Sequence, residues 1–142
     1  MNSVKSFTTG IPNGLYDGKV IFISGTPTAA TRFTINIQDR AFHDADICLH
    51  FDVRFKHLED VNIIVRNHRS RSNWGKEERE VPYFPFVPFV DFEMIILCDN
   101  SGFKISINNH DFVEFKHRFI LFPRFDMLEV HGDVILSQVK FH

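Results

Sequence analysis

The chain has 142 residues, a length that fits one domain of ordinary size spanning 1–142. Hydrophobic residues make up 44% and charged residues 24%, which is enough apolar surface for a packed core. The net charge of −2 supplies no field for nucleic acid or an anionic membrane, and no run reaches the roughly 18 apolar residues of a membrane span.

The opening segment, MNSVKSFTTGIP, lacks the apolar stretch of a secretory leader. A cytoplasmic protein is expected, with export by a route that needs no signal peptide as the alternative. Strand-like segments then recur at short intervals. They are KVIFISG (19–25), RFTINIQ (32–38), DICLHFDVRF (46–55) and VNIIVRN (61–67). After a polar loop, HRSRSN (68–73), and a proline-rich stretch come FEMIILCD (92–99), FKISINN (103–109), FVEFKH (112–117), MLEVHG (127–132) and VILSQVKF (134–141). Turn formers such as PNG, GTP, DNSG and HGD punctuate them. No segment carries a sustained helical period with caps, so the chain reads as an all-β antiparallel sandwich or barrel.

Seventeen Phe suit an interior where two sheet faces interdigitate. In KVIFISG, Ile21 and Ile23 share one side, and Val20, Phe22 and Ser24 the other. The prolines of PYFPFVPF (82–89) exclude a regular central strand, leaving an extended connection anchored by Phe. Cys48 and Cys98 each sit in an apolar run and are expected as buried free thiols.

The polar residues of 46–55 are the first chemical signal. Ile47, Leu49, Phe51 and Val53 share one face, while His50, Asp52 and Arg54 form a row about 7 Å apart on the other, expected on the strand's outer surface. Imidazole, carboxylate and guanidinium together offer the mixed donors and acceptors that a sugar hydroxyl needs; a merely solvated strand face is the alternative. Trp74 is the only Trp and lies in the polar stretch WGKEER (74–79), where Glu77 and Arg79, two apart, share a strand face. Galactose has an axial 4-hydroxyl, which leaves one ring face rich in C–H groups. An exposed indole can stack there while polar groups meet the hydroxyls.

HFDVRF, then IVRN, then WGKEER resembles the galectin carbohydrate-recognition signature, roughly H-F-N-P-R-F, I-V-x-N and W-G-x-E-x-R in that order. The flanks resemble the family as well, from about residue 7 to 141, including FKISINNHDFVEFKHR and MLEVHGDVILSQVKF. The resemblance implies a two-sheet antiparallel jelly-roll sandwich, galectin-like or concanavalin-like, that binds β-galactosides in a groove on the concave sheet. It implies that His50 and Arg54 meet the 4-hydroxyl, Asn67 the 6-hydroxyl, Trp74 the galactose ring, and Glu77 and Arg79 the neighbouring sugar. It implies no metal and no cofactor. Partners are then β-galactoside-bearing glycans and glycoproteins, with multivalency from a homodimer or a tandem-repeat protein and no membrane insertion.

One departure stands inside the first motif, where Asp52-Val53 replaces the family's Asn-Pro. An ionised Asp52 accepts but does not donate, and it competes with the sugar for Arg54. On that reading Asp52→Asn raises lactose affinity, and the alternative function is a galectin-fold protein of weakened sugar binding that acts through protein contacts. Arg69 and Arg71, just before Trp74, either attract sulfated or sialylated galactosides or are simply solvated. Hydrolysis is disfavoured, because Glu77 spaced to pair with Arg79 stays ionised and is a poor general acid. The eight His are scattered and give no metal-ligand spacing.

Overall fold

The computed structural model describes residues 6–142; the first five residues of the opening segment read above for a leader lie outside it. Two antiparallel sheets face each other. One has six strands in the order β1-β10-β3-β4-β5-β6, the other five in the order β11-β2-β7-β8-β9. In chain order the strands are β1 (Ser6–Gly10), β2 (Val20–Pro27), β3 (Arg32–Gln38), β4 (Ile47–His57), β5 (Asp60–Ser70) and β6 (Asn73–Trp74). They continue with β7 (Phe92–Cys98), β8 (Gly102–Ile107), β9 (His110–Lys116), β10 (Met127–Gly132) and β11 (Val134–Phe141). A 3₁₀ turn, Phe122–Arg124, precedes β10.

The period-two pattern sorts the side chains as expected. In β2 alternate residues are buried, Ile21 and Ile23 among them. The inner faces meet in a core rich in Phe. Phe33 stacks on Phe92 at 5.5 Å between centroids, and Phe86 stands edge-on to both, at 5.4 Å from Phe33 and 5.1 Å from Phe92. Each such ring fully withdrawn from water contributes about 2 kcal/mol. Phe86 comes from the proline-rich connection, which forms no strand and pins itself to the core instead. Cys48 and Cys98 are both free and buried.

Three segments differ from the sequence reading. Ser6–Gly10 forms an edge strand that no alternation announces. Residues 68–70 are not loop: β5 runs to Ser70, and a two-residue turn joins it to β6. Arg71 and Ser72 both take positive φ there, 52° and 66°, as a type I′ hairpin turn requires. Only two residues of β6 pair, so the segment that carries Trp74 ends the six-stranded sheet.

Candidate functional site

The polar residues of β4 face the outer side of the six-stranded sheet, but they are not a solvated row. His50 is 8% exposed and Asp52 is 0% exposed. The expectation of an outer-surface row is corrected here, because β3 brings its own polar face alongside. The β3–β4 register sets Asn36 opposite His50, Thr34 opposite Asp52 and Arg32 opposite Arg54. Long side chains from both strands then cover one another.

Asp52 is the hub. Its Oδ1 accepts from Thr34 Oγ1 (2.7 Å) and Arg32 Nε (2.9 Å); its Oδ2 accepts from Arg54 Nε (2.7 Å) and Arg32 Nε (3.0 Å). Two guanidiniums that register would set against each other are thus bridged by one carboxylate. Burial pushes the Asp52 pKa up, but the hydrogen bonds from Arg32, Thr34 and Arg54 outweigh it and hold the carboxyl below its ordinary value. The chain of charge continues outward. Arg54 donates to Asp60 (2.7 Å), Arg79 donates to the other oxygen of Asp60 (2.9 Å), and Arg79 Nε donates to Glu77 (2.8 Å). Glu77 and Arg79 do pair, although from a connection beyond β6 and not from the strand face that was expected, and Asp60, at the start of β5, ties that pair to Arg54.

His50 reads out its own tautomer. Asn36 Nδ2 donates to Glu129 (3.1 Å), so Asn36 Oδ1 is an acceptor, and His50 Nδ1 sits 2.7 Å from it as the donor. That leaves Nε2 as an acceptor. Burial lowers the His50 pKa to about 4, so the ring is neutral at physiological pH. The indole of Trp74 lies beside it, centroids 4.6 Å apart, and Trp74 is 49% exposed.

Asn67 stands opposite His50 across the β4–β5 ladder and is buried. Its Oδ1 accepts from His68 N and Arg118, and its Nδ2 donates to Gly75 O at 2.9 Å, which leaves one amide hydrogen. Arg69 spends donors on the carbonyls of His43 and Ala45 and lies 5.3 Å over the Trp74 ring. It therefore holds the 39–46 loop and the indole together. A groove of about 390 Å³ runs beside these groups, lined by Arg32, Asn36, His50, Arg69, Trp74 and Glu129 among others.

Sequence reasoning did not identify Arg32, Thr34, Asn36, Asp60 or Arg118. Alternation in RFTINIQ places Arg32, Thr34 and Asn36 on one face, but which strand they border is not written in it. Gly75 has a steric role. A Cβ there would lie 2.1 Å from His68 Cε1, and that ring is held by Arg118 at 2.9 Å and by an edge contact with Phe119. Gly75→Ala is expected to shift the Trp74 segment, and a change in the emission of Trp74, the only Trp of the chain, checks it.

The pH dependence follows from these groups. An unfolded His50 protonates near 6.5 and the folded one only near 4, so its contribution is full above 6.5 and declines as pH falls toward 4. Asp52 has a lowered folded pKa, so its contribution is present above its ordinary value of about 3.8 and is lost below it. Denaturant midpoints are expected to drop steadily from pH 7 to 4. Midpoints that stayed flat from pH 7 to 4 would contradict the neutral His50.

The family model described as galactoside-binding lectin matches residues 6–141. Bovine galectin-4 is 35% identical over 135 residues, covering 94% of this chain and 39% of that protein. Rat galectin-8 is 37% identical over 124 residues, covering 87% and 37%. The chain thus spans well under half the length of these two relatives. Human galectin-7 is 34% identical over 133 residues, covering 93% of each. The solved structure of sheep galectin-11 in complex with glycerol has a TM-score of 0.83 at 23% identity, covering 96% of each chain, which establishes the sandwich fold. With the family model matched from the first described strand to the last, this chain belongs to the galactoside-binding lectins, the galectins, a family of lectins and not of enzymes.

Proposed function

We propose that residues 1–142 form one carbohydrate-recognition domain that reversibly binds β-galactosides of the lactose and N-acetyllactosamine type. The observation that carries this reading is the half-exposed indole of Trp74 beside a neutral His50 whose Nε2 is left as an acceptor. The C–H face of galactose stacks on the indole. His50 Nε2 accepts from the 4-hydroxyl, and Arg54 donates to it with a guanidinium oriented by Asp52 and Asp60. The remaining amide hydrogen of Asn67 serves the 6-hydroxyl. Glu77 and Arg79, locked to each other, serve the adjoining sugar. Asp52 acts through the arginines and not on the sugar.

Binding in this scheme uses no metal and no cofactor. Affinity per site is modest, because the groove is shallow and water competes for every hydroxyl. Cross-linking of glycoproteins then needs a second site, from another copy or a second domain in a longer chain. A cytoplasmic protein that reaches extracellular glycans without a signal peptide fits this role. Retention on lactose–agarose with elution by free lactose is the expected result. The second reading, a galectin-fold protein of weakened sugar affinity acting through protein contacts, draws on the commitment of Arg54 to Asp52 and Asp60. Flow-through at micromolar protein would favour it.

A further inference from the structure

Arg118 lies on neither of the strands that carry the sugar site's polar row. It follows β9, an end strand of the five-stranded sheet, yet its guanidinium reaches the six-stranded sheet. The guanidinium carbon sits 4.6 Å over the ring of Phe115, which is wholly buried. Three acceptors on and beside β5 take its hydrogens. Nη1 donates to Asn67 Oδ1 at 3.0 Å and to His68 Nδ1 at 2.9 Å, and Nη2 donates to Glu78 Oε2 at 2.9 Å. An arginine only donates, so His68 is the tautomer whose Nδ1 accepts.

Those bonds decide what Asn67 offers a ligand. Its Oδ1 has two lone pairs, one taken by His68 N–H at 2.8 Å and the other by Arg118. Nδ2 donates one hydrogen to Gly75 O at 2.9 Å, so a lone N–H is all that the amide has left. Asn67 is therefore a pure donor toward anything placed beside it. His68 N and Gly75 O favour the same orientation, but His68 is the next residue in the chain and moves with Asn67, and Gly75 follows a strand that pairs over two residues. Arg118 is the partner anchored on the core side of the opposite sheet. It also holds the His68 ring that Gly75 rests on, where a Cβ would come within 2.1 Å of His68 Cε1. One guanidinium thus fixes the Asn67 amide directly and the Trp74–Gly75 backbone through His68. A planar fork of donors can do this; the single ammonium of a lysine cannot serve three acceptors in the same geometry.

We propose that Arg118 is a positioning residue of the sugar site, holding the Asn67 amide so that a fixed N–H, with no competing acceptor, reads the oxygen on C6 of galactose. The proposal rests on the galactoside reading above. Titration calorimetry of the full chain with lactose, and with the analogue that lacks the galactose 6-hydroxyl, tests it. The parent is expected to prefer lactose about tenfold, the worth of one well-placed hydrogen bond. Arg118→Met keeps an apolar stem over Phe115 but no donors, and its preference is expected to fall below about threefold. Arg118→Lys keeps the charge without the fork and is expected to fall as far. A loss shared by both sugars reports a shift of Trp74; the ratio of the two affinities reports Asn67, and a merely structural Arg118 would leave that ratio alone. Glu78→Ala removes the partly exposed carboxylate that takes Nη2 but keeps the backbone bridge from Glu78 to Arg66, and is expected to lower the ratio about twofold. A ratio at the parent's value in either Arg118 variant, or in Glu78→Ala should those variants fail to fold, overturns the proposal and leaves the lectin reading standing. So does a parent that binds both sugars equally. A parent that binds neither sugar brings down the lectin reading and this proposal with it.

Discussion

Trp74→Ala is expected to weaken lactose binding about a hundredfold while leaving the fold intact. The stacked sugar and the indole face together withdraw on the order of 100 Å² of apolar surface from water, about 2.5 kcal/mol at 25 cal/mol per Å². The stability side of the substitution is small. Trp74 is half exposed, its strand pairs over only two residues, and its ring meets the tilted ring of His50 and the guanidinium of Arg69. An exposed cation–π contact of that kind is worth about 0.5–1 kcal/mol. The melting temperature should therefore fall by no more than a few degrees, and Trp74→Phe should keep part of the affinity. Calorimetric titration with lactose, paired with thermal unfolding, checks both. A Trp74→Ala protein that still bound lactose within threefold of the parent would remove the indole from the site.

Asp52→Asn is expected to lower both stability and lactose affinity, the reverse of what the motif alone suggests. Read along the strand, Asp52 competes with the sugar for Arg54. In three dimensions it is a wholly buried carboxylate with both oxygens in use by Thr34, Arg32 and Arg54. An amide has one acceptor oxygen and one NH₂, so in either orientation it turns a donor toward a guanidinium. Arg32 and Arg54 then lose their shared counter-charge. Breaking a buried ion pair from one side costs about 3 kcal/mol, or roughly 10 °C for a chain of this size. Arg54 keeps Asp60 but loses its anchor on Nε, so lactose affinity should fall about tenfold. Thermal unfolding at pH 7 and a lactose titration measure the two effects. An unchanged melting temperature with tighter lactose binding would restore the competition account.

The strand pattern was legible because period-two alternation is a local property. β2, β3, β4, β5, β7, β8, β9, β10 and β11 each coincide with a segment whose apolar residues mark it as a strand. The short edge strands β1 and β6 were not legible, because an edge residue borders solvent on one side and needs no apolar partner. The Arg71-Ser72 turn escaped for a related reason: neither residue is one of the usual left-handed formers, and it is the two-residue hairpin between β5 and β6 that requires the conformation.

Which side chains face outward from β4 and which residue types suit a galactoside were properties of the chain read in order. The neighbours of those side chains were not. Register decides that Asn36 sets the His50 tautomer, that Thr34 and Arg32 converge on Asp52, and that Asp60 joins Arg54 to Arg79. The physical reason is that alternation specifies the face of a residue to within one position, whereas its hydrogen-bond partners depend on how strands distant in sequence slide against each other. Burial follows from that sliding, and with it the charge state of His50 and the role of Asp52. Alternation alone puts three polar groups on one face; only the packed sheet makes them a single connected network.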